Sequence, residues 1–219
     1  MRTAKAVVLQ GRDGQRFRFD PGALCMEFLL TGGEEGVLAQ WEQLHAPGDL
    51  ARWIERSGLG LPAPVLEEPG DLEDAKRLRA GVQRLADSAA GGLPLSYEPV
   101  LNEFAARPSL VPALTGTFES VWASPATCSQ YLSEVARDAI ALFSSPDRVR
   151  RVHRCGGDNC LLLFLDTSRP GTRRWCSMDR CGNRQKLRTR RRTAEPATSA
   201  AEAATSDAEV EPRGRNGRS

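Results

Sequence analysis

Apolar residues recur at helical spacing along two long stretches of this chain. From Asp71 to Ala90, Leu72, Ala75, Leu78, Val82, Leu85 and Ala89 fall on one face with charged residues opposite, which predicts an amphipathic helix capped by Asp71 and stopped by Gly91-Gly92. After Pro125, residues Tyr131, Leu132, Val135, Ala139, Ile140, Leu142 and Phe143 give a second long helix a broad apolar face. Shorter helices are predicted over 23–31 (ALCMEFLLT, ended by Gly32-Gly33), over 49–56 with Asp49 as cap and Leu50, Trp53 and Ile54 on one side, and over 96–107 through Val100, Leu101 and Phe104. Period-two patterning is rarer. Ala6 to Leu9 and the alternating Phe17-Arg18-Phe19, joined by the turn-rich Gly11-Arg12-Asp13-Gly14, predict a hairpin, and 114–122 (LTGTFESVW) reads as extended. The pattern over 1–147 is therefore that of a mainly α domain carrying a short β-hairpin.

Beyond Pro146-Asp147 the pattern changes. Residues 161–166 (LLLFLD) and 172–176 (TRRWC) read as two strands joined by the turn Ser168-Arg169-Pro170-Gly171, and a basic helix is predicted from about Gly182 to Arg192. Residues 194–219 hold almost no large apolar side chain and are expected to be a disordered tail. Charge follows the same boundaries. The formal net charge is only +2, yet residues 1–147 carry −7 (13 basic, 20 acidic), 148–193 carry +11 (14 basic, 3 acidic) and 194–219 carry −2 (3 basic, 5 acidic).

The apolar runs 139–143 and 161–165 are far too short to span a bilayer. The opening MRTAKAVVL lacks the apolar core of a secretory leader, so a reducing cytoplasm is the expected compartment and no membrane partner is expected. In that compartment closely spaced thiols more often hold metal than form disulfides. Four of the six cysteines, Cys155, Cys160, Cys176 and Cys181, are spaced C-x4-C-x15-C-x4-C. Four thiolates suit one Zn2+, which they hold tetrahedrally in structural sites, two disulfides being the alternative. Gly156-Gly157 offer the first pair backbone freedom to converge on the ion. Loop, hairpin, loop and helix in this order resemble a treble-clef-like zinc module with Cys181 in the first helical turn. His153 is a possible substitute ligand, and Cys25 and Cys128, on apolar helical faces, are expected in the core.

CGGDNC followed by LFLDTSRPGTRRWCSMDRCGNR resembles the CGNR zinc finger of bacterial proteins. The match runs through Cys155, Cys160, Phe164, Asp166, Ser168, Arg169, Arg173 to Met178 and Cys181 to Arg184. In that family the finger follows a helical domain described as a stress-induced transcription regulator. Here the likeness is looser: the family's early L-x-x-D-F-x-N-T corresponds to Leu24 to Thr31, with Glu27 in place of the Asp and Leu30 in place of the Asn.

The basic residues suggest the partner. On the predicted helix Arg184, Arg188, Arg191 and Arg192 share one broad face flanked by Lys186 and Arg190, while Arg173 and Arg174 sit on the expected hairpin. Phosphates are their natural counter-charge. The expectation is a DNA-binding transcriptional regulator, with RNA binding or protein interaction through a zinc-clamped module as the alternative. The helical domain is the expected place for dimerisation or for sensing a small molecule, with Trp41, Trp53 and Trp122 as candidate pocket residues. There is no phosphate-cradling loop, and His45 and His153 have no recognisable nucleophile, so no enzyme is expected.

Overall fold

A computed structural model describes residues 6–194, with side chains through Arg191. Of the expected tail only Ala194 is described, as the end of the last helix. The chain opens on an antiparallel hairpin, β1 (Val7–Gln10) and β2 (Arg16–Phe19), in register from Val7–Phe19 to Gln10–Arg16. Helix α1 (Leu24–Phe28) runs into a 3-10 turn, Leu29–Thr31, and a second 3-10 turn covers Gly36–Trp41. Then come α2 (Asp49–Arg56), β3 (Val65–Leu66), α3 (Asp71–Ala90) and α4 (Pro99–Ala105). The stretch read as extended is a hairpin, β4 (Pro112–Leu114) with β5 (Ser120–Trp122), because Phe118 adopts a left-handed φ of 61° and reverses the chain. A parallel pair forms where β6 (Ala126–Thr127) meets β3, and α5 (Cys128–Phe143) and α6 (Pro146–Val149) follow.

Helix α5 is the hub. Tyr131, Leu132, Val135, Ala136, Ala139 and Leu142 are fully buried against α1, α3 and α4, as the spacing predicts. Its start is fixed by a capping box the sequence analysis did not single out: the Thr127 hydroxyl accepts from the Gln130 amide while the Gln130 side chain accepts from the Thr127 amide. Asp49 and Asp71, in contrast, are not caps. Gly48 and Gly70 hold those positions, and each carboxylate turns back to accept from the preceding loop, Asp49 from His45 and Ala46 and Asp71 from Glu68. A first-turn carboxylate still sits favourably at the helix's positive end.

Two polar devices tie the helices together. Arg79 of α3 forks onto both oxygens of Glu42 at 2.9 and 2.6 Å and also donates to Thr31, so a buried charge pair locks α3 to the turn after α1. Glu27, at the position where the family motif has Asp, is buried in α1 and accepts from the Gly58 amide at 2.6 Å; burial pushes its carboxyl up from the ordinary range. The three candidate tryptophans do not meet in one pocket. Trp53 packs edge-on to Phe28 and Tyr131, Trp41 is half-exposed beneath Arg12, and Trp122 borders a separate surface cleft with Leu59, Pro62 and Val121.

Gly81 of α3 lets α4 come in close, because a Cβ there would stand 2.6 Å from Val100 Cγ1 on the first turn of α4. Gly81→Ala is therefore expected to cost about 1–3 kcal/mol by overpacking, despite alanine's better helix propensity. Equilibrium urea unfolding checks it, and an unchanged or raised midpoint would mean that α4 simply moves aside.

Strand β7 (Val152–Arg154) pairs antiparallel with β8 (Leu163–Leu165), in register from Val152–Leu165 to Arg154–Leu163. This corrects the expected pairing of 161–166 with 172–176. The latter forms no strand ladder with β8: its backbone bonds go singly to other partners, Gly156 N–H to the Arg174 carbonyl and the Arg173 amide to the Asp166 carboxylate, while Trp175 and Cys176 pack on the cluster around Phe164. A π-helical turn, Met178–Gly182, leads into α7 (Asn183–Ala194). The change of composition at 147 marks no gap in packing: Val152, Leu163 and Leu165 belong to the same core as the helices, and Arg154 pairs with Asp87 of α3 at 2.6 Å.

Candidate metal centre and nucleic-acid interface

The β7–β8 hairpin brings Cys155 and Cys160 to its tip, and the 172–181 segment returns Cys176 and Cys181 beside them. All four Sγ atoms lie within 4.8 Å of one another. Cys160 and Cys176 are separated by 3.8 Å, and Cys176 and Cys181 by 3.6 Å. A tetrahedron of thiolates about 2.3 Å from zinc has an edge of about 3.8 Å, whereas a disulfide needs about 2 Å. The centre therefore fits one structural Zn2+, and the disulfide alternative falls. His153 is not in this group and lies tilted against Phe164, while Cys25 and Cys128 are buried in the helical core.

The surrounding groups favour thiolate formation at one corner. Hydrogen bonds from the thiols of Cys160 and Cys176, and from the Cys176 amide at 3.2 Å, push the Cys155 thiol far down. The hydrogen bond to Cys155 pushes Cys160 up to about 12. One thiolate among such neighbours suppresses the others, and a dication bound at the centre removes that conflict. Gly157 has a different role from the one expected. Its backbone is ordinary, but a Cβ there would stand 2.7 Å from the Cys181 sulfur; Asn159, with φ 57°, makes the left-handed turn of the loop.

Three residues outside the cysteines hold the loop that carries Cys176. Asp166 is buried at the end of β8 and accepts from the Ser168 and Arg173 amides, both at 2.8 Å. Burial alone would raise its carboxyl, but hydrogen bonds from Ser168 and the Arg173 amide hold it below the usual range. Arg151 donates to the carbonyls of Asp166 and Ser168. Arg173, expected at the nucleic-acid surface, instead lies half-buried over the Phe164 ring at 4.1 Å. Its guanidinium donates to the carbonyls of Asp20, Trp175 and Cys176 at 2.8, 3.0 and 2.7 Å, so it clamps the metal loop and is withdrawn from phosphate contact. Motif position alone flags Asp166 and Arg173, but nothing in the sequence separates an inner arginine from an outer one.

The other basic candidates are outside. Arg174 is exposed, with its guanidinium 5.4 Å from the Trp175 ring. On α7, Lys186, Arg190 and Arg191 are exposed, Arg184 pairs with Asp13, and Arg188 pairs with Asp158. The expected broad face of 184, 188 and 191 is thus partly turned toward acids of the first hairpin's turn and of the first cysteine loop, and Lys186 and Arg190 point elsewhere on the helix. The Arg192 side chain lies outside the described residues.

Residues 22–146 match the family described as a putative stress-induced transcription regulator, ABATE. The chain belongs to the ABATE family. Residues 151–193 match the CGNR zinc finger. The two matches meet close to the composition step at 147, and no curated protein matches the chain. The zinc centre described above is the CGNR finger's metal site, with Phe164, Asp166 and Arg173 as its internal framework. Among the described residues no helix is long and apolar enough to cross a membrane.

The β1–β2 hairpin precedes both matched segments, yet it completes the CGNR finger. Phe17 and Phe19 are buried in one cluster with Cys155, Phe164, Cys176 and Cys181. Arg180 stacks over Phe17 at 4.6 Å and lies against Gly11, and the Gln15 side chain donates to the Asp179 carbonyl. Sequence patterning finds the hairpin but not its docking place, because the alternation of β2 says that one face is buried without saying on what.

Proposed function

We propose that this ABATE–CGNR chain is a non-enzymatic, cytoplasmic DNA-binding transcriptional regulator. The supporting observation is the mounting of α7: its first turn grows directly from the ligand Cys181, so the zinc fixes the helix while Lys186, Arg190 and Arg191 stand exposed along it. A basic helix held this way can lie along or in a DNA groove, its cations neutralising phosphates. The pairs Arg184–Asp13 and Arg188–Asp158 are half-exposed and worth little in water, so phosphates can take over both arginines. The helical part, residues 1–147, then serves sensing or dimerisation.

A salt titration of the zinc-loaded protein on duplex DNA tests this. Affinity is expected to fall linearly with log salt, and replacing Lys186 and Arg191 together by Ala is expected to flatten the slope by about 1.8, at about 0.9 per phosphate. Absence of duplex binding at low salt would overturn the reading. Preferential competition by structured RNA would transfer the same helix to an RNA partner.

A further inference from the structure

The alternation of β2 places Phe17 and Phe19 on the finger's core and leaves Arg16 and Arg18 exposed on the opposite face. Arg18 borders a groove of about 710 Å3 whose other wall is the finger segment carrying Arg174, Trp175 and Met178, with Ser168 and Thr172 at its side. We propose that the β1–β2 hairpin is a second nucleic-acid-binding arm, whose Arg18 joins Arg174 in holding a phosphodiester backbone in this groove, while Arg16, on the same exposed strand face, meets the backbone just outside it on the way to α7. This rests on the DNA reading and extends it to a segment that neither family match covers.

The chemistry of the lining favours a polymer backbone over a small anion. The groove is far larger than one phosphate, and it mixes arginines and hydroxyls with the half-exposed Met178 and half-buried Trp175. A nucleic-acid strand alternates charged phosphates with less polar sugars in the same way, and most protein–DNA hydrogen bonds go to those groups. Two acids also line the groove. The Asp20 carboxylate is already engaged by the Gly22 amide at 2.9 Å, and Asp179 follows Ser177, whose hydroxyl accepts from its amide. Arg173 lines the same wall but is committed to three carbonyls, so Arg18 and Arg174 are the groove's available cations. Continuity with α7 comes from the hairpin turn, where Asp13 pairs with both Arg180 and Arg184.

The test uses the full zinc-loaded chain, duplex DNA and fluorescence anisotropy at several salt concentrations. Replacing Arg16 and Arg18 together by Ala is expected to weaken binding roughly 5–20-fold near 0.1 M salt and to flatten the salt slope by about 1.8. Both side chains are exposed, so zinc content and circular dichroism measured on the same sample should match the parent. If the double variant loses zinc, Arg18→Ala alone decides, with an expected flattening of about 0.9. Normal affinity and slope in the hairpin variant, alongside weakened binding in the Lys186/Arg191 variant, would overturn the hairpin arm and leave the DNA reading standing. No duplex binding by the parent chain would overturn both.

Discussion

Cys176→Ser is expected to strip the chain of its zinc and to abolish duplex binding while leaving most of the helix content in place. Cys176 is tied to all three other corners of the centre, with Cys160 and Cys181 sulfurs 3.8 and 3.6 Å away and its amide bonded to the Cys155 sulfur. Structural zinc contributes on the order of 10 kcal/mol to small metal-held modules, and the buried part of the apolar cluster around this one is three phenylalanines and three of the cysteines, with only partly buried side chains such as Leu162 and Trp175 packed against it. The helices draw on a different cluster, centred on α3 and α5, which contains none of the four ligands. Metal analysis of the reduced protein is expected to give about one zinc per chain for the parent and almost none for the variant, with far-ultraviolet circular dichroism reporting the surviving helices. Full retention of zinc by the variant would mean that three cysteines suffice and that the fourth corner is open.

Arg173→Ala is expected to destabilise the finger by about 3–4 kcal/mol, measured as chelator-driven zinc release or thermal unfolding. The guanidinium supplies donors to three carbonyls, on Asp20, Trp175 and Cys176, and removing it strands all three in a half-buried place. It also removes the cover over Phe164. Arg173→Lys should recover less than half of the loss, because an ammonium cannot reproduce the planar fork. A variant with unchanged zinc retention but weaker DNA binding would return this residue to the phosphate-contacting role that its charge first suggests.

What the chain spells out locally was legible from its residues. The two long helices follow from apolar spacing, and the zinc centre follows from four cysteines in two equal loops. Information carried by distant partners was not. The strand LFL pairs backward with VHR across the first cysteine loop instead of forward with TRRW, since both neighbours offer similar local patterns and the choice is made by Val152, Leu163 and Leu165 reaching the helical core. Arginine is the sharpest case. Arg173 and Arg174 are adjacent and chemically identical, yet one threads between backbone carbonyls and the other faces solvent. Asp49 and Asp71 show the same ambiguity at smaller scale, because a carboxylate at a helix start can cap the helix or brace the loop before it, and here glycine takes the cap.

The docking of the first hairpin onto the finger also orders the molecule in time. During synthesis Phe17 and Phe19 emerge early, but the surface that buries them is built around Cys176 and Cys181, more than 150 residues later in the chain. The helical core lies between and can form first, holding the two ends near each other. Zinc capture is then expected to come late in folding, sealing the last segment onto the first and giving two phenylalanines and the strand that carries them their partner.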